Sequence, residues 1–254
     1  MRILAAALCI VGLLAGCGGE KAGTAEDGRP YTLNVSEEAA GVAQSAGVNL
    51  ERLVVDSADK IFSRVPFKGK IKIEVGANAS RVVPEIGVGG TIDPGKGDVF
   101  LVVTDEAISR YGDRLRTWVP AALAREIYLS SRVRTGPGFG LTLGEALVSS
   151  GLSDHFVEEM FPATPPQPWN HRKLSEVQET NLWRRAKRDL DIPGGYDHPL
   201  WFFGAGGKNA LPRWAGYTLA YRIVNAYTDD EHRATEAVGI RSSTVIKPYA
   251  HTHD

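Results

Sequence analysis

Apolar and polar residues alternate strictly over Lys70-Ile71-Lys72-Ile73-Glu74-Val75, the period of a strand with one face in water. Asp98 to Val103 (D-V-F-L-V-V) is almost wholly apolar and predicts a second, more deeply buried strand. Val82-Val83 and the glycine-rich stretch Gly87 to Thr91 predict a third, shorter one. Elsewhere the period lengthens to that of a helix. Asn49 is placed to cap one whose apolar residues are Leu50, Leu53, Val54, Ala58, Ile61 and Phe62. From Trp118 to Arg134 the residues Val119, Leu123, Ile127 and Tyr128 form one stripe. Pro120 is expected in its first turn, with Gly136-Pro137-Gly138 as the stop. Thr142 and Glu145 open the next helix as a T-x-x-E capping box; Ala146, Leu147 and Phe156 carry it toward a core, and Gly151 is expected to loosen it. Leu174 to Leu190 predicts another helix. A last one spans Trp214 to Tyr227, with Leu219, Ile223 and Val224 at core spacing. Beyond Asp230 no clear pattern is read. The sum is an α+β chain, mainly helical, with a small N-terminal sheet packed on two central helices.

A chain of 254 residues with 43% hydrophobic content can bury one sizeable core, or at most two small ones. Residues 31–254 read as a single domain; Pro162 to Trp169 (P-A-T-P-P-Q-P-W) is an extended connector within it. A net charge of −1, with both signs interspersed, gives no case for a nucleic-acid partner. Arg184-Arg185-Ala186-Lys187-Arg188 is the one basic cluster, and on a helix it wraps several faces.

The N-terminus reads as separate from the fold. Ile3 to Leu14 is too short an apolar run to span a bilayer comfortably, and it ends in Leu14-Ala15-Gly16-Cys17, which resembles the bacterial lipobox. That resemblance implies removal of residues 1–16 and acylation of Cys17, with residues 17–30 as a polar, glycine-rich tether. Each buried acyl methylene adds about 0.8 kcal/mol of membrane affinity. The expected location is the cell envelope, facing periplasm or exterior, with the membrane itself as a partner. An ordinary secretory signal with an incidental cysteine is the alternative. Cys9 falls in the removed segment, so Cys17 would remain without a disulfide partner.

Two tempting motifs fail on physical grounds. Gly90-Thr91-Ile92-Asp93-Pro94-Gly95-Lys96-Gly97 nearly spells a phosphate-binding loop, but Gly97 has no hydroxyl for magnesium and a strand follows it rather than a helix. Asp93-Pro94-Gly95 is turn chemistry instead. Ser153-Asp154-His155 contains the residue types of a hydrolase triad, yet neighbours on a helix do not face one another. His251 and His253 sit in a tail expected to fray. The aromatic set Trp201, Phe202, Phe203, Trp214, Tyr217 and Tyr221 is expected to form core and cleft wall.

Leu123 to Arg132, the segment E-A-L-V-S-S-G-L-S-D-H-F ending at Phe156, Trp201 to Gly204 and Pro212 to Tyr217 together resemble a bacterial family of predicted zinc-dependent proteases. The resemblance implies a zincin-like metallopeptidase fold. In that family two histidines one turn apart and a glutamate from the second helix hold zinc, and a glutamate between the histidines polarises the bound water. At the matching positions this chain has Arg125, Leu129 and Ser150 in place of the metal ligands; only the general-base position survives, as Glu126. Arginine keeps its proton and offers no lone pair, leucine offers nothing, and a serine hydroxyl is a poor substitute for a carboxylate.

The expectation is therefore a lipid-anchored, catalytically inactive relative, without cofactor, whose cleft binds a peptide or an envelope component. Glu126, Asp154, His155 and Tyr217 are the expected cleft residues. The alternative is an active metallopeptidase with a rearranged zinc site recruiting Glu126, Asp154 and His155. In either case a buried Arg125 needs a partner, and Glu126, Asp154 and Glu145 are the candidates.

Overall fold

The structure is a computed structural model that describes residues 28–104, 114–170, 174–204, 210–228 and 232–253. The expected signal peptide, Cys17 and the tether up to Asp27 lie outside these residues.

Strand β1 (Tyr31–Val35) opens the fold, alternates in burial and was not anticipated from the pattern. Helix α1 (Glu37–Ser45) follows, its interior face made of alanines too small to stand out as a stripe; Ser36 Oγ accepts from Ala39 N at 3.1 Å to cap it. Helix α2 (Leu50–Phe62) is capped by Asn49 as expected, with Oδ1 accepting from Arg52 N at 2.9 Å. Strands β2 (Ile71–Gly76), β3 (Val88–Ile92) and β4 (Val99–Val103) complete a sheet of order β1-β2-β4-β3. The first three strands in that order are parallel, and β3 runs antiparallel to β4 at the edge. Val82 does not join it, and Val83 contributes only an isolated bridge to Val88. Between β3 and β4, Asp93 Oδ1 accepts from Gly95 N (2.8 Å) and Lys96 N (2.6 Å), so the false phosphate loop is a hairpin turn.

Helix α3 (Leu115–Thr135) lies on β3 and β4, with α2 and the next helix beside it. It starts earlier than expected, so Pro120 sits inside it rather than in its first turn, and the missing N–H leaves the Arg116 carbonyl without its helical donor. Helix α4 (Leu143–Met160) is buried around almost its whole circumference, polar Ser149, Ser150, Ser153 and Asp154 included, and is enclosed by its neighbours. Its capping box is half formed. Thr142 Oγ1 accepts from Glu145 N at 3.2 Å, but the Glu145 carboxylate is drawn off to Ser242 N (2.9 Å) and to Arg132.

Helix α5 (Glu176–Ala186) is shorter than expected and carries a complete Ser175/Gln178 capping box. One π-helical turn (Pro199–Phe203) leads to α6 (Ala215–Asn225). The unpatterned tail is in fact helix α7 (Ser242–His253), which contains His251 and His253. Val245, Ile246 and Tyr249 are buried at spacings of one and three residues, Tyr249 Oη donates to Glu179 Oε1 at 2.6 Å, and the His253 ring stacks on Tyr249. Pro248 inside the helix masked this periodicity in the sequence.

Gly151 does not loosen α4; it lets α6 approach. A Cβ there would stand 2.3 Å from Ala220 O and 2.5 Å from Val224 Cγ2. Gly151→Ala should lower the denaturant midpoint, because overpacking of about 1–3 kcal/mol exceeds the gain in helix propensity of about 1 kcal/mol. An unchanged or raised midpoint would show that the two helices can part without cost.

Candidate functional site

Helices α3 and α4 are joined by a short loop, and two ion pairs cross between them. Near the loop, Arg132 Nη2 donates to Glu145 Oε2 at 3.0 Å. Two turns further from it, Arg125 Nε donates to Asp154 Oδ1 at 3.2 Å, and Arg125 Nη1 donates to Glu126 Oε1 at 2.9 Å. Of the three carboxylates open to Arg125 in the sequence, Glu145 is thus committed elsewhere. Arg132 itself is fully buried, with further bonds to Ser149 Oγ and the Ala237, Val238 and Ile240 carbonyls. In sequence it looks like an ordinary cation in a last helical turn, which is why it drew no notice.

Arg125 is largely withdrawn from solvent: its side chain is 12% exposed, that of Glu126 3% and that of Asp154 0%. The second oxygen of Asp154 accepts from Trp169 Nε1 at 2.5 Å. Burial works against the charge on Arg125, yet Glu126, Tyr217 and Asp154 more than offset it and hold the guanidinium above its usual pKa. The carboxylates share one cation and are less fully compensated. Burial pushes Asp154 up to about 6 against the pull of Arg125 and Trp169, and it raises Glu126 as well.

This cluster forms the floor of a cleft of about 820 Å³ lined by Arg125, Glu126 and Leu129. One side is the whole of β3, Val88 to Ile92, and the other carries Trp169, Trp214 and Tyr217. Asp93 N donates to Asp98 O, so by the alternation of antiparallel pairs Val88, Gly90 and Ile92 turn their peptide groups to the outer edge. Val83 N takes the Val88 carbonyl; among the described residues no strand covers Gly90 and Ile92. Gly90 is required for this closeness, since a Cβ there would lie 2.5 Å from Glu126 Cγ. Trp214 has φ 68°, the one left-handed non-glycine residue among those described. That unfavourable backbone sets its ring near Trp169 (5.4 Å) and Tyr217 (5.7 Å). His198 also lines the cleft; burial, then the charge of Arg125, pulls its pKa down to about 4.

The expected residues are distributed as follows. Arg125, Glu126 and Tyr217 meet in the cleft, with Tyr217 stacked on Trp169 at 4.8 Å and Asp154 behind Arg125. Leu129 is on the floor. Ser150 is buried in α4, and its Oγ has no hydrogen-bond partner among the described residues. His155 is elsewhere: it stacks on Tyr221 at 4.5 Å and lies 3.4 Å from Thr228 Oγ1, and burial lowers its pKa. Trp169 and Gly90 were not foreseen as site residues. Nothing in the local sequence pairs Trp169 with Asp154, and Gly90 reads only as strand or turn.

An α+β fold with two central helices bearing a charged cluster beneath an edge strand is what the chain presents. It belongs to the family described as predicted Zn-dependent proteases (DUF2268), whose sequence model matches residues 62–247. No curated protein and no solved structure matches it. The zinc implied by that family description does not fit the residues present. The Arg125 guanidinium lies between Glu126 and Asp154, and both Asp154 oxygens already accept hydrogen bonds. Among the described residues no group of three or more His, Cys, Asp or Glu side chains could hold a metal ion.

Replacing Arg125 with methionine leaves two carboxylates buried without their cation. The loss should be about 3–5 kcal/mol in a denaturant melt, and Arg125→Met combined with Asp154→Asn should recover part of it. A wild-type midpoint for the single variant would contradict the pairing. The raised pKa of Asp154 means the native state holds this proton more tightly than the unfolded chain does. Its contribution to stability is therefore complete below the ordinary 3.8 and is lost as pH rises through about 6. Thermal melts of wild type and Asp154→Asn should shift relative to each other across this window, with wild type losing ground; a constant difference would refute the assignment.

Proposed function

We propose that the chain is a non-hydrolytic member of this family that holds an extended peptide along the open edge of β3, tethered to a membrane through acylated Cys17. The observation that carries the binding role is the β3 edge at Gly90 and Ile92, which no strand covers among the described residues, beside a cleft whose floor is an internally neutralised arginine. An extended segment added to that edge would gain main-chain hydrogen bonds, and side-chain contacts within the cleft would set its preference. Loss of hydrolysis follows from the donor set: Glu126 has no metal-activated water to deprotonate when arginine, leucine and serine occupy the expected ligand positions. The tether rests on the lipobox resemblance alone.

Protein purified with excess zinc and then dialysed should retain far less than one zinc per chain and leave unfolded casein intact. One tightly held zinc with chelator-sensitive cleavage would overturn the non-hydrolytic reading. Cys17→Ser should move the full-length protein from the membrane to the soluble fraction and abolish labelling by a palmitate analogue; an unchanged distribution would remove the anchor.

A further inference from the structure

Glu126 is the unfinished part of the cleft. Its Oε1 accepts from Arg125, whereas its second oxygen has no hydrogen-bond partner among the described residues, although the side chain is 3% exposed and lines the cleft. That oxygen is not among the described polar atoms sealed from solvent without a partner, so a donor entering the cleft can reach it, and once binding expels the water such a donor is needed. The charges are unfinished as well. One guanidinium serves Glu126 and Asp154 together, so the cluster carries a surplus negative charge when both are ionised.

The edge strand sets which residue of an added peptide approaches the Glu126 side chain. If a peptide adds to β3, the residue paired with Gly90 points its side chain to the same face as the Gly90 Cβ direction. That direction leads to Glu126: the three atoms nearest a Cβ on Gly90 are Glu126 Cγ, Cδ and Oε1. Since the main chain of the paired residue is taken up with Gly90, only its side chain can answer the carboxylate. A single open oxygen suits a compact ammonium. The planar fork of a guanidinium needs two acceptors, and Arg125 already holds the other oxygen. The apolar lining from Val88, Ile92, Phe203 and Trp214 would take up the methylene stem that carries such a group.

We propose that the cleft selects peptides carrying a side-chain primary ammonium, that of lysine, at the residue paired with Gly90, with the free oxygen of Glu126 as its acceptor. This specificity rests on the edge-strand reading above. It brings the charge of the buried cluster to zero, with two cations on two carboxylates.

Calorimetry at low salt with Ac-Ala-Ala-Lys-Ala-Ala-NH2 and its norleucine, arginine and N-acetyllysine counterparts tests it. The lysine peptide should bind roughly tenfold to a hundredfold more tightly than the norleucine and acetyllysine peptides, as a hydrogen bond to a charged group provides, with arginine in between. A free N-terminus on the norleucine peptide should not restore the affinity. Glu126→Gln should reduce the lysine preference to about twofold or less. If that variant does not fold, the acetyllysine comparison on wild type stands by itself. Equal binding of lysine and norleucine peptides to wild type overturns the ammonium preference and leaves edge-strand binding intact, with water as the donor to Glu126. No binding of any of the four overturns both.

Discussion

One arginine held between two carboxylates governs this molecule. Arg125 is mostly withdrawn from water, so Glu126 and Asp154 supply most of what holds its charge, and the pair with Asp154 ties α3 to α4. A buried cation with two acceptors is a rigid element, since moving either helix by an ångström leaves a charge unpaired in a poorly polarisable interior. Trp169 extends the network from behind by donating to Asp154, which ties the connector after Pro162 to the two helices. The same cluster is repeated in kind at the other end of the helix pair. There Arg132 is saturated by Glu145, Ser149 and three carbonyls of the C-terminal segment.

The surrounding packing explains why this arrangement persists. Helix α4 is enclosed on nearly all sides, and glycine at position 151 permits a close crossing with α6. The α6 helix in turn begins at Trp214, whose left-handed backbone sets an indole in the cleft wall. Core and cleft are therefore one construction: the residues that shape the wall are held by the helices that bury the cluster. Gly90 plays the corresponding part on the sheet side, allowing an edge strand to lie directly over Glu126.

The consequence for chemistry is a site whose charge is turned inward. The family to which the chain belongs is described as predicted Zn-dependent proteases; at the cleft floor of this chain a guanidinium lies between two carboxylates and compensates them only in part. Such a site can stabilise charge and recognise a donor. Binding along the β3 edge, with Glu126 reading the ligand, is the use proposed for it.

Much of this was legible before any coordinates. The alternation at Lys70 to Val75, the cap at Asn49 and the two central helices are local properties, set by side-chain period and turn chemistry within a few residues. The residue types at Arg125, Leu129 and Ser150 are equally plain in the sequence, and their lack of imidazole or carboxylate donors holds wherever they sit; that these are the metal positions rests on the resemblance alone. Helix α1 and helix α7 are hidden in the sequence because an alanine-rich face and an internal proline blur their periods, and β1 is a five-residue strand too short for its alternation to stand out. Which carboxylate serves Arg125 could not be decided locally either. Glu126, Glu145 and Asp154 are equally acidic in sequence, and only the register of two packed helices gives Glu145 to Arg132 and Asp154 to Arg125. The placing of Gly90 over Glu126 and of Trp169 against Asp154 has the same origin. Both are contacts between residues far apart in the chain, and their distance is a property of the assembled core.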